Sequence, residues 1–490
     1  MKQLLQKIKV HYQLALIFLA GIGIRLYMAA IDPFLHEWDE RYHALVARNM
    51  MKTPLKPMLI AKPFALYDPE QWCCNHIWLH KQPLFLWQMA LSMKLFGVSE
   101  FTLRLPSVLM GSAMILLVYR ITLLLTTNKL TAILAAMLMC CSHFQLELIS
   151  GKNGMDHNDV AFGFYILAST WSYLEYLKRP KWYWAVITGL FSGCAILNKW
   201  LTGLLIFLPW GVKVVCTKAG KRLSAYGNFS LGLLVCIAVF LPWQLFILHA
   251  YPSEARYEFT LNSRHIWEAV ERHARDNWFY YDNFKSYFGE INYYLLTPGI
   301  FILLLKYTQK RIEAMTLIGM FLLMFVFFTF IVQTKMISYF FVVAPIGFVM
   351  IAVSMKGLIA LFRYNKVMLV ALTAICLFKA LNPLDIYESR QNNAQREHMI
   401  RRTEIYKNLS KLMPDSVRVL INVPEFEHPN VMFYNPQLTA YHYWPSEQEL
   451  AMLERNKIPL ATFNDHNQYI LPEHVRRYPY LSTVAADLNF

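Results

Sequence analysis

Two carboxylates stand side by side where the first long apolar segment of the chain ends. Asp39 and Glu40 lie in the stretch PFLHEWDERYHALVARNM at residues 33–50. A single acid at the start of a helix is often explained by the helix dipole alone. A pair of acids beside a membrane-length segment favours a second explanation, in which a carboxylate acts as general base on an acceptor hydroxyl or orients a sugar. We therefore take Asp39 and Glu40 as candidate catalytic residues.

Four basic residues from separate segments are candidates to bind a phosphate. They are Lys81 in WLHKQPLFLW, Arg104 in FTLRLPS, Lys199 in ILNKWLTG and Lys335 in QTKMISYFFVVAP. A lysine at the depth of the lipid headgroups matches a phosphate, although snorkelling explains such a lysine equally well. The four cations could converge on one dianionic group, but their spacing along the chain does not show that they do.

Acids and histidines elsewhere offer possible metal or substrate ligands. Asp156 and Asp159 stand at the mouth of a predicted helix in SGKNGMDHNDVAF, where an Asp is a common N-cap and a metal or substrate site is the alternative. His80 and His265 are candidate ligands of a divalent cation such as Zn, Mg or Mn. A metal site needs three or four converging ligands, and the spacing of these residues is not diagnostic.

The eight cysteines show neither a CxxC zinc pattern nor a disulfide framework. Most lie in apolar runs, where cysteine behaves as a small hydrophobic residue. Cys73 and Cys74 lie outside those runs. We expect this pair to be packed, with a redox-active pair as the alternative.

The composition predicts an all-α membrane protein of many spans. Of 490 residues, 56% are hydrophobic and 16% charged, whereas soluble domains contain about 25% charged residues. A formal charge of +15 would indicate nucleic-acid binding in a soluble chain. Here the bases lie in short loops between apolar runs, so we expect no nucleic-acid partner and a lipid bilayer instead.

A transmembrane helix needs about 20 apolar residues, and this requirement predicts eleven spans. They lie at about 11–31, 105–125, 130–149, 158–177, 182–198, 200–217, 228–249, 290–306, 313–332, 338–355 and 366–383. The apolar run after the basic N-terminus has no small-residue cleavage site, so we expect a first span rather than a signal peptide.

Lysine and arginine in alternate short loops predict a cytoplasmic N-terminus. This alternation holds only if the short apolar run 82–97 does not cross the bilayer. We therefore expect that run to be an interfacial helix. Two long loops, at about 32–104 and 250–289, then lie on the outer side together with most of the acids and histidines.

The C-terminal segment 384–490 predicts a small α/β domain outside the membrane, after a transmembrane domain at 1–383. Residues 416–423 alternate as a strand does, and 458–465 reads as a second strand. Between them, 446–456 has a capping-box pattern and helical spacing.

Several motifs, taken in order, resemble the protein O-mannosyltransferase-like superfamily of GT-C glycosyltransferases (families 39 and 83), which includes the bacterial lipid A aminoarabinose transferases. They are DERYHALVARNM, HKQPLFLW, RLPSVLMG, MDHND, CAILNKWLTG and KMISYFFVVAP. The resemblance covers about residues 10–345 and is most specific at the Asp-Glu and Lys-x-Pro-Leu motifs.

The resemblance implies an inverting glycosyltransferase whose donor is a sugar on undecaprenyl or dolichyl phosphate. Asp39 matches the catalytic carboxylate of the family, and Lys81 matches a lysine that holds the donor phosphate. Lys335 and Tyr339 look like donor-contacting positions. His265 looks like a histidine linked in some members to a divalent metal.

Three positions depart from the aminoarabinose transferases. Tyr42 stands where they have Arg, His43 where they have Tyr, and His80 where they have a metal-binding Glu. We therefore take Tyr42 and His43 as candidate substrate residues. The acceptor stays open as a lipid, glycan or protein at the outer face of the cytoplasmic (inner) membrane.

Two other functions compete with sugar transfer. A transporter or flippase for lipid-linked saccharides would carry polar residues inside its spans and internal repeats, and the sequence shows neither. A ligase that joins whole glycans would share the many spans and an outer loop, but it gives no reason for the Asp-Glu pair.

Overall fold

The computed structural model describes most of the chain. The described residues exclude 1, 65, 69, 71, 153–155, 219–221, 392, 464–470, 487 and 489–490, and the side chains of 2–11. The middle of the predicted turn at 150–159 and the end of the predicted strand 458–465 therefore lie outside the described residues.

The described part is mainly helical. Its helices are α1 (Lys2–Ala30), α2 (Asp39–Met50), α3 (Leu84–Phe96), α4 (Glu100–Thr126), α5 (Lys129–Cys140), α6 (His143–Ser150), α7 (His157–Lys178), α8 (Trp182–Lys199), α9 (Phe207–Cys216), α10 (Leu223–Ala250), α11 (Pro252–Trp267), α12 (Phe279–Asp282), α13 (Phe284–Phe288), α14 (Leu296–Lys306), α15 (Arg311–Val326), α16 (Ile337–Phe341), α17 (Ala344–Leu361), α18 (Lys366–Leu381), α19 (Pro383–Glu388), α20 (Ala394–Lys407), α21 (Leu409–Leu412), α22 (His428–Tyr434), α23 (Glu447–Arg455) and α24 (Glu473–Arg476).

Seven helical segments among the described residues are long and apolar enough to cross a membrane, and some of them join consecutive helices of the list above. They lie at 12–30, 100–126, 129–150, 223–250, 308–331, 344–361 and 366–388. They match seven of the eleven predicted spans, and the chain is a multi-pass membrane protein. An eighth, at 290–306, belongs to a pair of helices bent by 103°. The predicted spans at 158–177, 182–198 and 200–217 are helical but do not meet this measure. For α7 the reason is its position, because nearly all of its side chains are buried in the bundle and need not be apolar.

The short apolar run at 82–97 forms α3, a helix of 13 residues. At a rise of about 1.5 Å per residue it is too short to cross a hydrocarbon core of about 30 Å. The alternation of loop charges requires a helix that does not cross, and the length of α3 agrees with that requirement. Its position at the interface stays a prediction. The orientation of the bundle in the membrane stays a prediction.

Helix α8 packs closely against α10. A Cβ atom added at Gly189 of α8 would collide with the backbone carbonyl of Gly232 on α10. Glycine at this crossing lets the two backbones approach each other. Lys199 is the last residue of α8.

A four-stranded parallel sheet follows in the C-terminal segment. Its strands are β1 (Val419–Ile421), β2 (Thr439–Ala440), β3 (Leu460–Phe463) and β4 (Leu481–Val484), in the order β2-β1-β3-β4. Helices α22, α23 and α24 connect successive strands, as parallel pairing requires. The two predicted strands are present as β1 and β3, and the capping box of Ser446 and Glu449 starts α23 as predicted.

The C-terminal segment rests on the helix that carries the acid pair. Helix α22 packs against α2. Arg41 of α2 donates a hydrogen bond to the backbone carbonyl of Glu425 at 2.8 Å. The Tyr42 and His428 rings meet edge to face, with centroids 5.8 Å apart. The sheet and α2 are therefore parts of one packed structure.

Candidate active site

One cavity of about 860 Å³ gathers several of the predicted site residues. The predicted residues that line it are Asp39, Tyr42, His80, Lys81, Lys199, His265 and Tyr339. They come from the first turn of α2, the loop before α3, the end of α8, α11 and α16. Residues far apart in the sequence therefore meet at one site.

The Asp39 carboxylate faces the Lys81 ammonium inside this cavity. Asp39 Oδ1 lies 3.5 Å from Lys81 Nζ, and the two side chains are 23% and 21% exposed. Burial alone would raise the pKa of Asp39, but the positive charge of the Lys81 ammonium, assisted by that of Lys199, lowers it below its ordinary value. Asp39 is therefore ionised at neutral pH.

Lys81 is held in its charged form by several carboxylates. Burial alone would lower the pKa of Lys81, but Asp39, Glu271 and Asp159 raise it above its usual value. Glu271 also lines the cavity and was not among the predicted site residues. It lies in the loop after α11, where the sequence showed acids and bases without a pattern that singled one out.

Lys199 lies on another wall of the cavity. Its ammonium pairs with the carboxylate of Asp159 and lies 5.1 Å from the ring centroid of Tyr339. A cation over an aromatic face is attracted by the ring quadrupole. Asp159 is therefore the ion-pair partner of a lysine that lines the cavity. Lys199 and Tyr339 were predicted from two separate motifs, and the structure brings them together.

Glu40 and Arg104 form a buried ion pair, and neither residue lines the cavity. Arg104 Nε donates to Glu40 Oε1 at 2.6 Å, and Nη2 donates to Oε2 at 2.9 Å. The other Arg104 donors reach the backbone carbonyls of Ala29, Asp32 and Phe34. A guanidinium has five N–H donors, and all five are in use. The structure therefore does not support Arg104 as a phosphate ligand or Glu40 as a group that contacts substrate.

Lys335 is also engaged inside the protein. It is 3% exposed, and its ammonium donates to the backbone carbonyls of Thr329 and Val332 at 3.0 and 3.2 Å. These carbonyls lie at the end of a π-helical segment, Phe327–Ile331. The lysine stabilises this irregular helix end rather than reaching the cavity, so the expected phosphate contact is not supported.

His43 and Asp156 bond to each other away from the cavity. His43 Nδ1 lies 2.7 Å from Asp156 Oδ2, and both side chains are buried. Asp156 also accepts a hydrogen bond from the backbone of Asn158, as an N-cap of α7 does. The pair connects α2 to α7, so the structure does not support His43 or Asp156 as substrate contacts.

Tyr42 and His80 lie on the same aromatic wall. Tyr42 and His80 both pack on Trp72, with ring centroids 5.1 and 4.9 Å apart, and His80 is stacked on it. The buried Tyr42 hydroxyl has no hydrogen-bond partner among the described residues. A buried hydroxyl without a partner beside a cavity is suited to contact a polar ligand.

The histidines expected to hold a metal do not complete a metal site. His80 Nδ1 faces Glu258 at 3.2 Å, and His265 Nδ1 faces the backbone carbonyl of Leu261 at 2.9 Å. Among the described residues, neither histidine belongs to a group of three close ligands. The residues present do not fit a complete metal site here, and no reaction step is assigned to a metal.

Two tryptophans in strained conformations line the cavity and were missed in the sequence. Trp38 has φ 63° and Trp200 has φ 100°. Each such conformation costs about 1–3 kcal/mol and is concentrated at functional sites. Trp38 also packs on Phe426, with ring centroids 5.7 Å apart, so the C-terminal segment contributes to the cavity wall. No local pattern in the sequence indicated these aromatic contacts.

Comparison with solved structures defines the class of this fold. The structure resembles ArnT from Cupriavidus metallidurans bound to undecaprenyl phosphate, with a TM-score of 0.63, 15% identity, and coverage of 91% of this chain and 89% of that one. It also resembles the oligosaccharyltransferase of Archaeoglobus fulgidus in complex with zinc and sulfate, with a TM-score of 0.57, 15% identity, and coverage of 86% of this chain and 62% of that one. The chain has the fold of the GT-C glycosyltransferase superfamily, as the motifs predicted.

Sequence comparison finds one matching family model and several similar proteins. Residues 80–246 match the family model described as dolichyl-phosphate-mannose-protein mannosyltransferase. The chain is similar to the undecaprenyl phosphate-alpha-4-amino-4-deoxy-L-arabinose arabinosyl transferase of Pseudomonas paraeruginosa. The two sequences are 30% identical over 206 residues, and this alignment covers 40% of this chain and 35% of that relative. The alignment thus spans about a third of that curated relative.

Proposed function

We propose that this protein is an inverting glycosyltransferase that moves a single sugar from a polyprenyl-phosphate carrier to a lipid, glycan or protein acceptor. The proposed site of transfer is the outer face of the cytoplasmic membrane, with the C-terminal domain on the same side. One observation carries the proposal: an ionised carboxylate, Asp39, shares an aromatic-lined cavity with two lysines, Lys81 and Lys199. The undecaprenyl phosphate bound to the ArnT relative supports the choice of carrier.

The two lysines are suited to a leaving group whose charge grows during the reaction. A polyprenyl-phosphate sugar is a phosphodiester with one negative charge, and the departing polyprenyl phosphate gains a second. Cations held in place for this phosphate stabilise the transition state more than the bound donor. The leaving phosphate therefore needs no general acid, and Lys81 and Lys199 are assigned to hold it.

Asp39 is assigned to the acceptor. As the acceptor oxygen bonds to the anomeric carbon and the bond to the phosphate oxygen breaks, the acceptor proton passes to the carboxylate. When Lys81 contacts the donor phosphate instead of Asp39, the carboxylate loses part of the positive charge that lowers its pKa, and it becomes a stronger base. For an acceptor without a proton to remove, Asp39 would position the sugar.

The test is transfer by the purified protein from a labelled polyprenyl-phosphate sugar, with membrane extract as the source of acceptor. Asp39→Asn should lower the rate by about 10²–10⁴-fold, the usual contribution of general acid–base catalysis. Glu37→Gln, which removes an exposed acid two residues away, should have little effect. Full activity in Asp39→Asn would contradict the assignment.

The products separate the proposed function from its alternatives. A transferase releases free polyprenyl phosphate together with a product that has gained one sugar. A flippase moves the labelled lipid without breaking it, and a ligase attaches a whole glycan. Finding either of those results would replace the proposal.

A further inference from the structure

A cluster of three soft metal ligands joins the first long loop to the C-terminal sheet. Cys73 and Cys74 come from the loop, and His442 follows strand β2. The two sulfur atoms lie 3.2 Å apart, and Cys74 Sγ lies 3.5 Å from His442 Nδ1. All three ligand atoms lie within 4.8 Å of one another. Sulfur atoms in a disulfide are about 2.05 Å apart, so these are two free thiols.

From this geometry we infer that Cys73, Cys74 and His442 bind a zinc ion that fastens the loop to the C-terminal domain. Zinc–sulfur bonds of about 2.3 Å and zinc–nitrogen bonds of about 2.0–2.1 Å place tetrahedral ligands about 3.5–3.8 Å apart. The 3.5 Å separation of the Cys74 sulfur from the His442 nitrogen already matches, and a small rotation of the Cys73 side chain would widen the sulfur–sulfur separation. Thiolate and imidazole ligands favour zinc over hard cations such as magnesium.

Zinc binds cysteine as the thiolate and histidine through a neutral ring nitrogen. Cys73 and Cys74 are free thiols, so zinc binding would release their two protons.

Neighbouring contacts already hold the two segments in register. His428 donates through Nε2 to the backbone carbonyl of Cys73 at 2.9 Å. The hydroxyl of Thr439 donates to the backbone carbonyl of Lys62 at 2.9 Å. The ligands are thus presented by segments that are fixed before the metal arrives, which lowers the entropy cost of forming the site.

The location gives the metal a structural role. Cys73 lines the large cavity beside Trp72, and the same loop carries His80 and Lys81. A zinc ion at the cluster would hold this wall against the C-terminal domain. The inference does not depend on sugar transfer, because metal binding is measured without donor or acceptor.

Zinc content of the purified full-length protein, after loading and removal of loosely bound metal, tests the inference. We expect about one zinc per chain, and at least a tenfold loss of zinc in Cys74→Ser and in His442→Gln. Cys141→Ser is the matched control, because Cys140-Cys141 repeats the dipeptide without a third ligand among the described residues. This control should keep its zinc.

A second measurement needs no variant. Zinc should protect Cys73 and Cys74 from alkylation, as read by peptide mass spectrometry, and leave the alkylation of Cys140 and Cys141 unchanged. Zinc bound without that protection, as at His80 and His265, would overturn the inference. So would the absence of bound zinc, retention of zinc in both ligand variants, or a disulfide between Cys73 and Cys74 in the purified protein.

Discussion

Replacing Glu40 with Gln should destabilise the protein through the charge left behind on Arg104. The pair is buried, with Glu40 0% and Arg104 2% exposed. Removing one member of a buried ion pair costs about 3–5 kcal/mol, because the remaining charge is uncompensated. We expect a value near the lower limit, about 3 kcal/mol, because three backbone carbonyls still accept hydrogen bonds from Arg104.

Thermal unfolding in detergent measures this effect. For a chain of 490 residues, the average unfolding entropy per residue converts 3 kcal/mol into a fall in Tm of about 3 °C. Glu37→Gln, an exposed acid in the same segment, is the control and should leave Tm unchanged. The double variant Glu40→Gln with Arg104→Met should be more stable than the sum of the two single effects predicts, because it leaves no unpaired charge.

Two results would refute this reasoning. An unchanged Tm in Glu40→Gln would mean that the pair contributes no net stability. A loss of transfer activity as large as that of Asp39→Asn, at unchanged Tm, would instead restore Glu40 to the catalytic group from which its burial removes it.

Three further predictions concern the cavity and its support. The rate of sugar transfer should fall as pH drops through the pKa of Asp39. Lys81→Met should move this acid limb of the kcat/KM profile to higher pH, because the positive charge that lowers the pKa of Asp39 is gone. An unmoved limb would contradict the pairing of Asp39 with Lys81. Gly151→Ala should lower the free energy of unfolding by more than about 1 kcal/mol, because Gly151 has φ 85° and the new Cβ would collide with the Glu40 carboxylate. A fall in Tm would measure this loss. Lys335→Met should lower stability by about 2 kcal/mol and leave the KM for donor unchanged, whereas a raised KM at constant Tm would favour phosphate contact.

Local sequence signals predicted much of the fold because the bilayer and the helix impose local rules. Span length follows from membrane thickness, and seven of the predicted spans are long apolar helices. The helix at α23 follows from its capping box. By contrast, β2 and β4 were not predicted. The two residues of β2 are too few to show an alternation. Strand β4 is as long as β3, but it lies at the edge of the sheet and only one of its four residues is buried, so it lacks the apolar run of β3.

The sequence motifs predicted those site residues whose side chains face the cavity, but they also named residues that do not. Asp39, Lys81 and Lys199 were named from the sequence, and all three line the cavity. Arg104 and Lys335 were named on the same grounds, yet their donors are used inside the protein. A charged side chain has the same sequence signature whether it is free or engaged, so no inspection of the sequence could separate these groups.

By itself, the sequence determined the class of the protein: apolar segments of membrane length, acids and histidines gathered in the long loops, and motifs in a recognisable order. Each of these properties can be recognised from a short stretch of residues or from the total composition, without knowing which segments contact each other. Only the tertiary structure decided which charges face the cavity, that the C-terminal sheet rests on the helix bearing Asp39, and that Cys73 and Cys74 meet His442. These facts depend on contacts between segments hundreds of residues apart, and such contacts are fixed by the packing of the whole chain.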